Sequence, residues 1–489
     1  MIGEVTQMYE FINKHLKEYY KLLSVSFLLS AIISILFLKR IGIKNSAMLF
    51  VALFFLIIDI YLIFKDKRKS ILLFILLLPI FTTVRRICYY DFFFMKITFE
   101  TIYITLLFIF SFKDIVYVFT TCYNWKDKFT FKFIFLITAF LIFCINSSFF
   151  SSDIMRSIRE VYIGVLTPIM LMLTLIAYFN KEDKYKIYYA AIAALNFSCL
   201  YGYVQLLAKG ASLGAIKANR IYLTFGFHNV NIFAGILITV SPLLLEMILH
   251  KKNTKNEKIF LYLSFINYSL ATLLTFTRGA WLTYFVVIFL ALLNKKYRKI
   301  IYIAAVPSLF VAKPVLSYIL HRGTSTSFLN NSSAVARLQS IFTDIIMMKN
   351  YPFGIGGGSF PEAYKKFAFQ GYLSMPESIR FNSTAAPYPL DHAHNLLLQI
   401  GVEFGLVAAF IFIFIIINRL KASFKDIDYN RGAINAIIVY CIFSLITGNE
   451  FNHKGVITGT LIIFIIFGIV QLTFKNNCDK TIRRVKNEG

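Results

Sequence analysis

The sequence predicts an all-α, polytopic transmembrane helical bundle of about 12–14 spans, carrying one large extracytoplasmic loop that contains short helices. Three observations carry this. The 489 residues are 58% hydrophobic and 17% aromatic, more apolar surface than a soluble core of this length can hide. Apolar runs approaching the ~20 residues that cross a bilayer follow one another almost end to end. Each run is continuously apolar and lacks the alternation of a barrel strand.

In chain order the spans fall near 21–38, 46–64, 71–84, 101–112, 133–149, 161–179, 187–208, 230–250, 259–276, 279–294, 300–316, 395–418, 432–448 and 455–472. The third and fourth are short for a bilayer. With the amino terminus inside, basic clusters such as Lys65–Lys69, Lys251–Lys258 and Lys295–Lys299 fall on the cytoplasmic side, the positive-inside pattern. The net charge of +26 is thereby assigned to topology and anionic membrane lipid, and no nucleic-acid motif accompanies it. The six cysteines are scattered without a CxxC pair, so neither a disulfide framework nor a recognisable zinc site is expected. The first twenty residues are polar and charged, unlike a cleavable signal peptide. No internal repeat supports inverted-repeat transporter architecture.

The chain reads as one polytopic membrane domain, 1–489, with residues 317–393 as the inserted loop. That segment is rich in Ser, Asn, Gly and Pro. Ser332–Ser333 can cap a helix running to about Lys349, which Asn350-Tyr-Pro ends. Gly354-Ile-Gly-Gly-Gly358 lacks the Lys-Ser/Thr of a phosphate-binding loop and reads as a turn, and a second short helix starts at Pro361. A loop this long in a compact membrane protein points to function.

Arginines share the outer face with this loop: Arg156 and Arg159 before the sixth span, Arg220 before the eighth, Arg278 between the ninth and tenth, and Arg337 within the loop. Near hydrocarbon an arginine is costly unless it is paired or lines a wet cavity. Several of them converging would suit a diphosphate, whose oxygens match guanidinium donors. The alternative for each is interfacial snorkelling, or pairing with a carboxylate such as Glu160.

At the junction of loop and span stands Asp391-His392-Ala-His394-Asn395. A histidine can take a proton from a sugar hydroxyl near neutral pH, and Asp391 or Glu403 could orient it. A metal site is the rival reading, but alternating histidines point apart on a strand and diverge on a helix. His228 is a weaker base candidate, and Asp59 and Glu246 within spans fit buried contacts as well as a proton path.

Three segments together resemble the O-antigen ligase and polymerase superfamily of bacterial membrane glycosyltransferases. The first is Arg220-Ile-Tyr-Leu-Thr-Phe-Gly-Phe-His-Asn-Val-Asn231. The second is Leu274-Thr-Phe-Thr-Arg278-Gly-Ala-Trp. The third runs from Arg337-Leu-Gln-Ser-Ile341 through Tyr351-Pro-Phe-Gly-Ile-Gly-Gly-Gly-Ser-Phe360 to His394-Asn395 and Gly405. The spacing from Asn395 to Gly405 is similar to the ligase pattern, with departures at Ile341 and Ala408.

The resemblance implies a metal-independent transferase, without cofactor, at the outer face of the bacterial cytoplasmic (inner) membrane. Its donor would be an undecaprenyl-diphosphate-linked glycan, and its acceptor a glycan, lipid or cell-wall hydroxyl. Arg220, Arg278 and Arg337 would hold the diphosphate and His394 would activate the acceptor. Arg159, Asn231, Asp391, His392, Asn395 and Glu403 would support them, and no residue is expected to bind metal. A repeat-unit polymerase shares the donor chemistry, and a transporter or flippase is the alternative from another class.

Overall fold

The computed structural model describes residues 2–84, 89–210, 212–224, 227, 229–250, 253–293, 332–380, 390–448, 451 and 458–476. Apart from a two-stranded hairpin and one isolated bridge, its regular elements are helices. Among the described residues eight helical segments are long and apolar enough to cross a membrane, with shorter apolar helices at Arg278–Leu292 and Gly459–Leu472. The protein is an all-α integral membrane bundle. The expected span at 300–316, and the loop portions 317–331 and 381–389, lie outside the described residues.

Helix α1 (Ile2–Lys65) breaks at Gly42, whose φ of 78° and ψ of 165° are open to glycine and strained for other residues. Phe27 and Phe50 meet edge to face at 5.2 Å, although 23 residues of straight helix would separate them by ~35 Å. The segment is therefore a helical hairpin, matching the two expected spans. Helix α2 (Lys67–Val84) follows, then strands β1 (Tyr90–Phe92) and β2 (Met95–Ile97).

Helix α3 (Phe99–Thr121) corrects the short span expected at 101–112. It continues through Lys113 and Asp114 because Asp114 is partnered, by Lys67 at 3.1 Å and by the Tyr178 hydroxyl. Cys122, which ends it, is disulfide-bonded.

Helices α4 (Lys128–Ser148), α5 (Ile154–Val161) and α6 (Thr167–Tyr178) come next. A π-helical turn, Tyr162–Leu166, joins α5 to α6, and Thr167 Oγ1 donates to the Tyr162 carbonyl at 2.8 Å within it. After α7 (Lys184–Leu207), the short α8 (Leu213–Ala218), α9 (Val230–Ile248), α10 (Lys255–Leu274) and α11 (Arg278–Leu292) come the loop helices α12 (Ser332–Asn350), α13 (Phe360–Leu373) and α14 (Glu377–Arg380). The expected helix starts at Ser332 and about Pro361 both appear.

The run 395–418, expected as one span, is two helices: α15 (Leu396–Phe404) and α16 (Leu406–Phe424). They meet at Gly405, whose φ of 93° only glycine takes readily. A Cβ built on Gly401 would lie 3.9 Å from the Ala409 Cβ, so the chain turns back sharply there. At nine residues α15 is ~13 Å long, too short to span. Helices α17 (Ile427–Thr447) and α18 (Thr458–Leu472) complete the bundle.

One end of the bundle is tied by lysine pairs. Lys67 meets Asp114, Lys181 meets Asp426, and Lys425 meets Asp127 at 3.3 Å. The buried Lys184, from α7, pairs with Glu246 of α9 and lies 3.8 Å over the Tyr429 ring of α17. Glu246 also accepts from the Gly432 N–H at 2.8 Å, a buried contact binding α7, α9 and α17. The opposite end carries the candidate site.

Candidate active site

The first two arginine-bearing segments are stitched together by backbone carbonyls that α10 leaves open. The last carbonyls of a helix lack intrahelical donors and carry partial negative charge, so a guanidinium is a natural partner. Arg220 Nη1, from the 3₁₀ turn Arg220–Tyr222, donates to the Thr275 and Phe276 carbonyls, both at 3.0 Å. Asn231, in the first turn of α9, accepts from Thr277 Oγ1 at 3.1 Å. Arg278 follows directly as the first residue of α11.

The last turn of α17 joins this pair of segments to the third. A Cβ on Gly279 would lie 3.1 Å from Thr447 Cγ2 and 3.4 Å from Ile446 Cγ2, so α11 starts hard against α17. One residue earlier, the Leu445 carbonyl accepts from Asn395 Nδ2 at 3.0 Å. Asn395 also caps α15, its Oδ1 accepting from Leu397 N at 3.0 Å and Leu398 N at 3.1 Å. Residues 445–447 are thus a hub on which Arg278-Gly279 and His394-Asn395 both rest.

His394 holds a φ of 55°, sparsely allowed for a residue with a side chain, which is strain of ~1–3 kcal/mol held by its surroundings. Those surroundings include the Ala393 N–H, which donates to Gln399 Oε1 at 2.8 Å, and Ser340 Oγ, 3.5 Å from the Ala393 carbonyl. The left-handed turn brings the His392 and His394 rings together, centroids 4.1 Å apart, so the expected divergence of the two side chains is wrong. Burial, helped by the Arg337 cation and opposed by Asp391, lowers the His394 imidazole from 6.5 to about 4. It is a neutral base at physiological pH, with one ring nitrogen, Nδ1, buried and unbonded. Among the described residues no group of three or more His, Cys, Asp or Glu is set to hold a metal ion.

Glu403 sits against Gln399, whose Oε1 takes the Ala393 N–H beside His394. Glu403 Oε1 accepts from the Gly358 N–H at 3.0 Å and the Phe360 N–H at 3.3 Å, holding the glycine loop and the start of α13. Burial pushes its carboxyl up to about 8. The Ile355 and Gly356 N–H groups donate to the Val402 and Glu403 carbonyls at 3.1 and 2.9 Å, so the loop runs as a short ladder beside the Gly405 bend. Of the two carboxylates expected to orient His394, Asp391 bears on it by its charge and Glu403 meets the same turn through Gln399.

Arg156 donates to Glu362 at 2.7 Å and to the Gly358 carbonyl at 2.6 Å, latching the glycine loop to α5. Arg159 pairs with Asp91 of β1 at 3.4 Å. His228 lies outside the described residues. Sequence reasoning missed Gln399 and Ser340, which support the histidine turn. Gln399 is the lone amide in the apolar run Leu396–Gly401, a signal that was available. Nothing in Leu445-Ile-Thr marks a hub.

Residues 263–413 match the family model described as O-antigen ligase. The matched stretch contains Arg278, Arg337, His394, Asn395 and Gly405 and bears out the resemblance drawn from those motifs. It supports glycan transfer of the ligase or polymerase type. No curated protein matches the chain.

Proposed function

We propose, starting from an O-antigen ligase-type segment at 263–413, that this protein moves a glycan from a polyprenyl diphosphate carrier to an acceptor hydroxyl, in ligase fashion, at the outer face of the bacterial cytoplasmic membrane. The observation that carries the reading is the hub at 445–447, which rests the Arg278 and His394 segments on one helix end. The lysine-paired end, whose basic clusters fit the cytoplasmic side, supports this orientation. Residues 317–393 are then the extracytoplasmic loop of a single membrane domain.

In this mechanism the donor diphosphate lies among Arg220, Arg278 and Arg337, with Arg159 and Asn231 in support. His394 takes the proton of the acceptor hydroxyl as its oxygen attacks the anomeric carbon. The anomeric C–O bond to phosphate breaks, and the negative charge gathering on the leaving diphosphate is stabilised by fixed cations in a water-poor site. The chemistry needs no metal. Attack from the face opposite the leaving group inverts the anomeric centre. Arg337 couples donor and base: alone it depresses His394, whereas a bound diphosphate offsets its charge and lets the imidazole regain basicity.

The test is transfer by purified protein with lipid-linked glycan and candidate acceptors, comparing wild type with His394→Ala and Arg278→Ala. One chain appearing on a lipid or cell-wall acceptor is the expected result. A ladder of repeat units would make the enzyme a polymerase. Movement of the lipid-linked glycan across the membrane by His394→Ala, without transfer by wild type, would make it a transporter. Retained anomeric configuration would overturn the displacement.

A further inference from the structure

The segment between α2 and α3 is two-faced. Its register pairs Tyr90 with Ile97, Asp91 with Lys96 and Phe92 with Met95. Side chains alternate across a strand, so Tyr90, Phe92, Met95 and Ile97 share one face while Asp91 and Lys96 share the other. On the polar face the exposed Asp91 reaches Arg159 of α5 at 3.4 Å. On the apolar face Tyr90 and Phe92 are 64% and 48% exposed, with Phe93 at 66% and Phe94 at 53% on the tip, while Met95 packs against the bundle core. An isolated two-stranded hairpin is marginal in water, and one offering such a face to water is more so.

Its position says what covers that face. The hairpin connects the ends of two apolar helices, Val84 and Phe99, at the end of the bundle carrying the candidate site. Open strand edges are excluded from hydrocarbon, so the hairpin lies at the membrane boundary, where aromatic rings are favoured. Exposed Phe149, Phe150, Ile154 and Met155, where α4 passes to α5, continue the apolar surface at the same end.

We propose that the hairpin is a membrane foot: Phe92, Phe93 and Phe94 enter the boundary between lipid headgroups and acyl chains, and the Asp91–Arg159 pair ties this foot to α5. Through Arg156, α5 in turn holds Gly358 and Glu362, so the height of the glycine loop above the bilayer is set by lipid contact. The inference rests on the membrane spans and holds whether or not glycan transfer is the activity.

The experiment places tryptophan at Phe93, and separately at Phe94, in full-length protein reconstituted into vesicles. Wild type, with Trp125 and Trp281, supplies the background, and Lys365→Trp on the exposed side of α13 is the aqueous control. Lipids brominated near the headgroup should quench the reporters at 93 and 94 more than lipids brominated near the chain end, and iodide should quench them little. The control should behave in reverse. Ready iodide quenching at 93 and 94 without an effect of brominated lipid would overturn the foot. Shielding of those positions from iodide by added soluble oligosaccharide, again without lipid quenching, would make the hairpin a sugar platform and overturn it equally.

Discussion

His394 is poised by what surrounds it, and its acid–base behaviour should show this. With the imidazole lowered to about 4, the acid limb of kcat/KM should fall well below the 6.5 of an ordinary histidine. Arg337→Gln should move that limb upward, and in wild type the kcat limb should lie above the kcat/KM limb because bound diphosphate offsets Arg337. Titrating both parameters separates the two effects. His394→Ala should cost on the order of 10²–10⁴ in rate. A depressed histidine also has a stability signature. The unfolded chain takes up its proton near 6.5 while the folded protein does not until about 4, so stability is lost as pH falls through that window. His394→Gln should flatten that loss in thermal unfolding scans.

Between residue and fold stands the Gly354–Gly405 bend. A Cβ on Gly354 would lie 2.5 Å from the Glu403 carbonyl, and one on Gly405 2.7 Å from the Phe353 carbonyl carbon. Both positions also need positive φ. Gly354→Ala should destabilise by at least ~1–3 kcal/mol, visible as a lower Tm, and should release the loop from α15. Glu403 gives the same element a pH dependence of opposite sense to His394. Its folded-state value of about 8 stands above the ordinary 4.5, so its contribution is full below 4.5 and is lost as pH rises through 8. Glu403→Gln should keep the bonds from Gly358 and Phe360 and hold Tm level over that rise.

Across the whole molecule, cohesion at one end is separable from chemistry at the other. Glu246→Ala would strand the buried Lys184 charge, at a cost of ~3–5 kcal/mol, while KM per folded molecule should stay unchanged. Parallel thermal melts and kinetics would check it. The spans were legible in the sequence because a continuous apolar run has few alternatives in a bilayer. The break at Gly405 was not, since Leu396 to Ile417 is apolar on both sides of it and only backbone geometry divides the run. Arg220, Arg278, Arg337 and His394 stood out as costly residues in lipid surroundings. Their meeting ground did not, because Leu445-Ile-Thr acts through a carbonyl and close packing, which ordinary apolar residues supply. The contact between His392 and His394 depends on a left-handed residue that no spacing rule anticipates.

The π-helical turn at Tyr162–Leu166 bears on how this chain tolerates length change. A π turn accommodates one residue more than the α-helical path between the same two flanks, so Tyr162–Leu166 holds a residue that regular winding would not need. Removing one residue between 162 and 166 should restore regular winding and leave Arg156 and Arg159 facing Gly358 and Asp91. The same deletion within α6 would swing everything before it by about 100° and pull both arginines out of phase with their partners. Insertions and deletions in this helix are thus confined to a single permissive turn.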